Sequence, residues 1–476
     1  VWHGWKSNME NYKKSTGDLL VEFFSEEIPA RMQFHSGIHL EESFKKSFDK
    51  RDIRYGEIEI LTGPRHLAII IKQLDLKKQD QIIEKRGPRF DANEKALNGF
   101  LNSNDIDLKD TEIKDTKNGK FHFYIKKIKG LDTKKIIPEI IHEITYGFVW
   151  SKSQRWGSTD LRWARPLRNI LLLLNDDVVE GELELGNSEV IKFSNYTYGH
   201  RHYDKKIKID HISHYKKILI QNHVILNRDD RKYKISNDME VLLTKNKLSL
   251  LDDPLLLEEV TGLVEFPNVM LGSISNEFMS LPPEVLSTAM KVHQKYFSTI
   301  DHQNNLAPNF IFVANSLTDI KRDATVVEGN ERVLKARLSD ANFFWRSDLS
   351  KSFEYWNDKL RKVVFYEGLG SVYDKTLRMS KISNFVSKAF NVNPSLASQT
   401  ALLSKADLAS EMVGEFPELQ GVMGGYYSDL IGYQKEISKA ITEHYKPRGA
   451  LDSIPKTNIG GMLSIIDKID TLTCFF

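Results

Sequence analysis

The hydrophobic positions of this chain fall into two regimes. Up to about residue 200 they come as short unbroken runs rich in branched and aromatic residues, including Asp18 to Phe24 (DLLVEFF), Leu67 to Ile71 (LAIII) and Asn169 to Leu174 (NILLLL). Runs of this length predict strands. The turn pairs Gly63-Pro64 and Gly87-Pro88 bracket the second run, and a helical pattern is expected from Ser25 onward. Together these predict an α+β fold, with mixed α/β domains at the N-terminal end, and not a helix bundle. Asp252-Asp253-Pro254 and Phe266-Pro267 interrupt the next stretch, because the residue before a proline is pushed out of the helical region. From Val326 the spacing turns helical almost throughout. Leu334, Leu338, Ala341 and Trp345 follow i, i+4, i+7, i+11 and are predicted to face a core, with Arg332, Lys335 and Ser339 on the opposite side. The expected organisation is a tail over 1–18, an α+β domain over 19–200, a second α+β domain over 201–325 and a mainly helical domain over 326–476.

The run Leu281 to Phe297, LPPEVLSTAMKVHQKYF, reads as an amphipathic helix opened by Pro282-Pro283, a pair suited to a first turn whose N–H groups lack partners anyway. Val285, Leu286, Ala289, Met290, Val292, His293, Tyr296 and Phe297 share one wide apolar side. His293 is therefore expected to face a core or a partner, hydrogen-bonded and not catalytic. Lys291 and Lys295 lie one turn apart on the other side, a spacing that suits a phosphate.

At 476 residues, 41% hydrophobic and 28% charged, the chain has ordinary globular composition and room for two to four cores. Its net charge of +2 gives no bulk attraction for a polyanion, so any nucleic-acid surface must come from local clustering. Arg201 to Lys234 supplies one, with ten Lys and Arg against four Asp and with Tyr203 and Tyr215 interleaved. Arg201, Lys205 and Lys206 open that stretch. The single cysteine, Cys474, excludes an internal disulfide framework and fits a reducing compartment. Apolar runs such as Ile170 to Leu174 fall far short of the roughly eighteen residues a membrane helix needs. Neither a Gly-x-x-x-x-Gly-Lys loop nor a Gly-x-Gly-x-x-Gly turn is present, so the chain is not expected to hold ATP. His-Glu-x-x-His and Gly-x-Ser-x-Gly are likewise missing.

Several segments together resemble one known family. They are LLVEFFSEEIPARM (Leu19 to Met32), LTGPRHLAI (Leu61 to Ile69), KRGP (Lys85 to Pro88), RWGSTDLRWARPLRNILLLL (Arg155 to Leu174) and YGHRH (Tyr198 to His202). The densest block follows: LLEEVTGLVEFPNVMLGS (Leu256 to Ser273), the Leu281 to Phe297 run, PNFIFVAN (Pro308 to Asn315), GNERVLKARLSDANFFW (Gly329 to Trp345) and GSVYDK (Gly370 to Lys375). In this order they resemble the beta subunit of bacterial-type, two-subunit glycyl-tRNA synthetases, from about Leu19 to the last residue.

The resemblance implies a cytoplasmic glycine-tRNA ligase subunit that binds and positions tRNA(Gly) while a separate alpha subunit catalyses glycylation. ATP and magnesium would sit on the alpha subunit, with no cofactor in this chain and no membrane partner, in an alpha2beta2 heterotetramer. It also implies that a C-terminal anticodon-binding domain, which follows the DKIDTL segment (Asp467 to Leu472) in the family, is absent before Phe476. The expected tRNA contacts are Lys291, Lys295, Arg332, Lys335, Arg201, Lys205 and Lys206.

Ala401 to Tyr427 resembles the metal-binding helix of histidine-aspartate phosphohydrolases, with Ala406-Asp407 where those enzymes carry His-Asp. Alanine offers no ligand atom, so the helical domain is expected to be a degenerate version of that fold without metal. Asp407 and Asp467 would be relic positions, along with Glu411, His444 and Asp470. Alternative readings are an active phosphohydrolase of that type and a scaffold for the alpha subunit that makes no RNA contact.

Overall fold

The structure, a computed structural model, describes residues 15–78, 81–203, 205–450 and 452–476. Of the expected tail, residues 1–14 lie outside the described residues, and the first strand begins at Thr16. The chain forms two compact units. The first runs to Ile235 and takes in Leu257–Pro267 and Asn315–Leu317; the second comprises Ser236–Leu256, Asn268–Ala314 and Thr318–Phe476.

Ten strands appear first in the N-terminal unit: β1 (Thr16–Ser25), β2 (Ile58–Thr62), β3 (His66–Asp75), β4 (Gln81–Arg89), β5 (Thr111–Thr116), β6 (Gly119–Ile128), β7 (Leu167–Leu174), β8 (Asp177–Val178), β9 (Glu182–Gly186) and β10 (Glu189–Ser194). The main sheet has the order β2-β3-β1-β7-β10-β9, with β8 paired to β7, while β4-β6-β5 form a small sheet of their own. The three strands predicted from apolar runs are the central neighbours β3-β1-β7. β1 is antiparallel to both, with Val21 opposite Ile69 on one side and Leu172 on the other.

These runs are unbroken because both faces of the sheet are covered. Leu19, Val21, Phe23, Ile69 and Leu172 pack against buried residues of the helices Ala30–Lys50 and Thr133–Gly147. Leu20, Ala68, Ile70, Leu171 and Leu173 face Ile207, Ile209, Tyr215 and Leu219. On that second face β11 (Tyr196–Tyr198) pairs with β12 (Lys206–Lys208), and the helix Tyr215–Gln221 follows. The first helix starts at Ala30 and not at Ser25, since Pro29 is its N-cap and holds the preceding residue extended.

The second unit holds a four-stranded sheet, β13 (Ser249–Leu250), β14 (Pro267–Ser273), β15 (Phe297–Ile300) and β16 (Leu306–Asn315), in the order β13-β15-β16-β14. Beyond it the chain is helical, from Ile320–Leu349 to Asn458–Phe475. Leu334, Leu338 and Ala341 are buried with Val285, Leu286, Ala289, Met290 and Trp356, as the spacing implied. Trp345 is half-buried and stacks on Tyr427 with ring centroids 5.4 Å apart. The architecture is thus mixed α/β toward the N-terminus and largely α-helical toward the C-terminus. Among the described residues no helix is long and apolar enough to cross a membrane.

A second expectation is overturned at the Leu281 to Phe297 run. The helix Pro283–Gln294 stops before Lys295, which adopts the left-handed conformation (φ 58, ψ 33) and closes the helix through its N–H to the Lys291 and Met290 carbonyls. The chain then turns into β15, so Tyr296 and Phe297 are buried outside the helix. His293, left on the last turn, is exposed, with the Phe416 ring edge-on at 6.1 Å. It is not a packed histidine.

Candidate functional site

A charged hub lies inside the first unit, and five of the segments singled out above supply it. Glu22 from β1 points to the second face of the sheet and is completely buried. Its Oε1 accepts a hydrogen bond from the Thr197 hydroxyl, and Oε2 accepts one from the Tyr215 hydroxyl and lies 3.1 Å from His66 Nδ1. The other His66 nitrogen is 3.7 Å from Glu265 Oε1. Arg65 grips both Glu265 oxygens at 2.8 and 3.1 Å and donates to the Gly199 carbonyl at 2.7 Å. The Arg201 backbone N–H also donates to Glu265, at 3.0 Å. Asn315 Oδ1 sits 2.9 Å from His200 Nε2 and accepts the Glu265 N–H at 2.9 Å.

Burial by itself would raise the Glu265 carboxyl, but the Arg65 hydrogen bonds and the charges of His66 and Arg65 outweigh it and hold Glu265 below the usual range. Burial lowers His200, against its bond to Asn315, and it pushes Tyr215 well up, assisted by Glu22. With Glu22, His66, Glu265 and Arg65 at most 3% exposed, this hub cannot meet a substrate. Its work is to lock β1, β3, the 197–201 segment, 257–267 and residue 315 into one body. The sequence reading missed it, although the acid Glu22 within LLVEFF and the basic pair Arg65-His66 after Gly63-Pro64 were the available signals.

The predicted cations are dispersed. Lys291 is exposed and ion-paired to Asp253 at 2.5 Å, in a cleft of about 310 Å³ also lined by Asp252, Ser287 and Glu418. Lys295 is half-buried at the helix end. Arg332 pairs with Glu328 at 3.3 Å and Lys335 with Glu277 at 3.8 Å, beside a hollow of about 250 Å³ lined by Ser273 and Glu331. Arg201 pairs with Glu27, Lys205 is exposed, and Lys206 lies 3.3 Å from the centre of the Tyr196 ring.

The basic stretch after Arg201 is not one continuous face. Arg231 is fully buried and donates to the carbonyls of Thr62, Ile225, Leu226 and Thr261 at 2.6–3.1 Å. Lys216, Arg228 and Lys232 are paired with Glu59 or Glu258. The exposed Lys216–Glu59 pair contributes about 0–1 kcal/mol and yields to an incoming phosphate at little cost, whereas the half-buried Arg228 and Lys232 are tied to Glu258.

Four of the positions expected to be relics, Asp407, His444, Asp467 and Asp470, are buried, while Glu411 is exposed. Asp407 is fully buried, and its Oδ2 accepts the N–H groups of Gly421 and Gly424 at 2.6 and 2.9 Å. Burial pushes its carboxyl up to about 6 despite those bonds. Asp467 is held between two ammonium groups, Lys375 at 2.8 Å and Lys405 at 2.7 Å. Burial would raise it, but Lys405, His444 and Lys375 bring it well below the usual range. Lys405 is lowered to about 8 by burial, against the pull of Asp467, and its Nζ lies 3.7 Å from the Tyr445 ring centre. His444, buried, is lowered to about 3 by desolvation and then by Lys405, so its imidazole is neutral near neutral pH. Asp470 takes a two-point bond from Arg378 at 2.8 and 3.0 Å, and Glu411 heads the short helix Glu411–Glu415. Cations of the chain itself therefore neutralise Asp467 and Asp470. Among the described residues no group of three or more His, Cys, Asp or Glu is placed to hold a metal ion.

Comparison with known proteins gives one result. A family model described as glycyl-tRNA synthetase beta subunit matches residues 19–476. The glycine-tRNA ligase beta subunit of Rickettsia bellii (strain OSU 85-389) is 40% identical over 456 residues, covering 96% of this chain and 67% of the relative. Those of Rickettsia felis and Rickettsia prowazekii are each 38% identical, with the same coverage. The chain spans about two thirds of the length of these relatives. The segments that meet in the buried hub, and those that build the helical core, are thus parts of a single family pattern, and the chain belongs to the glycyl-tRNA synthetase beta subunit family.

Proposed function

We propose that this chain binds and positions tRNA(Gly) for ATP-dependent glycylation on a separate alpha subunit, and that it performs no activation chemistry itself. The observation that carries the reading is the family match from residue 19 to 476. Lys291, Lys295, Arg332, Lys335, Arg201, Lys205 and Lys206 are its candidate tRNA contacts, and the alpha subunit is its proposed partner in an alpha2beta2 assembly. The helical region is read as a degenerate histidine-aspartate domain. Ala406 in place of a ligand and the ammonium groups on Asp467 support that reading over an active phosphohydrolase. The test mixes the chain with a glycyl alpha subunit and measures glycine charging of tRNA(Gly), with direct tRNA binding as a second readout. Charging or tRNA binding that depends on this chain is the expected result. An absence of both, with an alpha subunit that is active beside a full-length relative, would sink the assignment.

A further inference from the structure

We propose that the arginines of residues 152–168, together with Arg201, form a surface of the first unit that takes the phosphodiester backbone of the bound tRNA. This rests on the tRNA-positioning role and assigns it to a place that the basic stretch after Arg201 does not reveal.

Lys152, Arg155, Arg162, Arg165 and Arg168 stand within this segment against one acid, Asp160. Their direction is set by the core. Trp163 is fully buried, with ring centroids 5.5 Å from Phe23, 5.0 Å from Phe148 and 4.9 Å from Trp150. Leu161, Ala164, Leu167 and Asn169 are buried as well, so the residues between them, Arg162, Arg165 and Arg168, turn outward. The antiparallel bridge between Gln154 and Trp163 sets Arg155 beside Arg162. Glu26 and Glu27 connect the far end, since Arg168 reaches Glu26 at 3.2 Å and Arg201 reaches Glu27.

Two properties separate this surface from the other cations. The first is that its charges are less cancelled. Arg162 is held by the Ser153 hydroxyl and carbonyl at 3.2 and 3.4 Å, and Arg165 by the Ala164 carbonyl at 2.8 Å. Arg155 has neither a hydrogen bond nor an ion pair among the described residues. Lys291, Arg332 and Lys335 each carry a carboxylate partner instead. Six cations thus face three carboxylates. The second property is preorganisation. Arg162 and Arg165, fixed by neutral partners on either side of a packed tryptophan, lose little freedom on meeting a phosphate, and their planar fork fits its oxygens. Aromatic surface lies alongside: half-buried Tyr198 stacks on Phe24 at 4.7 Å, with the Arg168 guanidinium 5.8 Å from its ring.

The test is a fluorescence-anisotropy titration of labelled tRNA(Gly) with the full chain over a salt series. It compares the wild type with Arg155→Gln, Arg162→Gln, Arg168→Gln and the triple variant. Each lost phosphate contact is expected to lower the slope of log K against log salt by about 0.7–0.9, and the triple variant to bind about tenfold or more weakly. Arg155→Gln breaks no contact of the fold, so its effect stands even if the triple variant is less stable. Wild-type affinity and slope in the triple variant and in Arg155→Gln would overturn the surface and leave the tRNA role intact. A wild-type chain that does not bind tRNA would overturn both. Unchanged tRNA binding with lost alpha-subunit association would give the surface to a protein partner and overturn the proposal.

Discussion

Replacing Glu265 tests whether the buried hub holds the first unit together. Its side chain is 1% exposed and that of Arg65 is 4%, so water screens neither. Glu265→Ala leaves the Arg65 guanidinium with the Gly199 carbonyl and the face of Phe24, 5.0 Å away, and leaves the Arg201 N–H without its acceptor. Breaking a buried pair by removing one partner costs about 3–5 kcal/mol. Glu265→Gln keeps one acceptor oxygen and should cost less, about 1.5–3 kcal/mol. The apolar double substitution Arg65→Met with Glu265→Leu should cost less than Glu265→Ala, because no charge is then stranded.

With two units, a single melting curve does not isolate this loss, so hydrogen exchange on peptides from β1 and β3 is the better assay. At about 1.4 kcal/mol per tenfold, Glu265→Ala should speed exchange there by about two to four orders of magnitude. The pH dependence has a fixed sign. Glu265 is depressed in the fold, so its contribution is complete above the unfolded value of about 4.3 and is lost as pH falls through the lower folded value. The wild-type advantage should shrink in that acid window. Exchange within threefold of wild type in Glu265→Ala would refute the reasoning, as would a double substitution that costs more than the single one.

Three further outcomes are expected. Burial raises Asp407 to about 6, above the ordinary value of about 3.9, so the fold loses stability as pH rises between those values, about 3 kcal/mol in all; Asp407→Asn should abolish that slope, and a constant difference between wild type and variant in denaturant titrations from about pH 4 to about pH 7 would contradict it. Gly425 on the helix Val422–Ile431 packs against the helix Lys435–Glu443, where a Cβ would overlap the Thr442 hydroxyl with the Ser438 carbonyl 3.0 Å away, so Gly425→Ala should destabilise the helical region by about 1–3 kcal/mol in a denaturant titration; a neutral result would mean that these two helices separate freely. Trp163→Ala, which empties a site bounded by three aromatic rings, should cost about 3–5 kcal/mol, read by hydrogen exchange on peptides of the first unit, and weaken tRNA binding together with the arginines it supports; full tRNA affinity in a folded variant would count against that support.

The sequence by itself determined the strands at the heart of the first unit and the helical core of the second. Both are signals of local period: β1, β3 and β7 are buried on two faces and so read as unbroken apolar runs, while Leu334, Leu338 and Ala341 recur at helical spacing. Motif order determined the family. Only the tertiary structure decided what the charged residues do. Glu22, Arg65, His66, His200, Glu265 and Asn315 become neighbours through ladder register and long-range packing, which no local pattern records. Arg231 counts as a surface cation in the sequence yet is spent on four buried carbonyls. His293 is exposed because one left-handed residue, Lys295, ends its helix early. The arginines of 155–168 face outward because Trp163 faces in. A side chain's charge is written in its residue type, but whether that charge meets water, a carboxylate or a backbone carbonyl depends on what the rest of the chain folds against it.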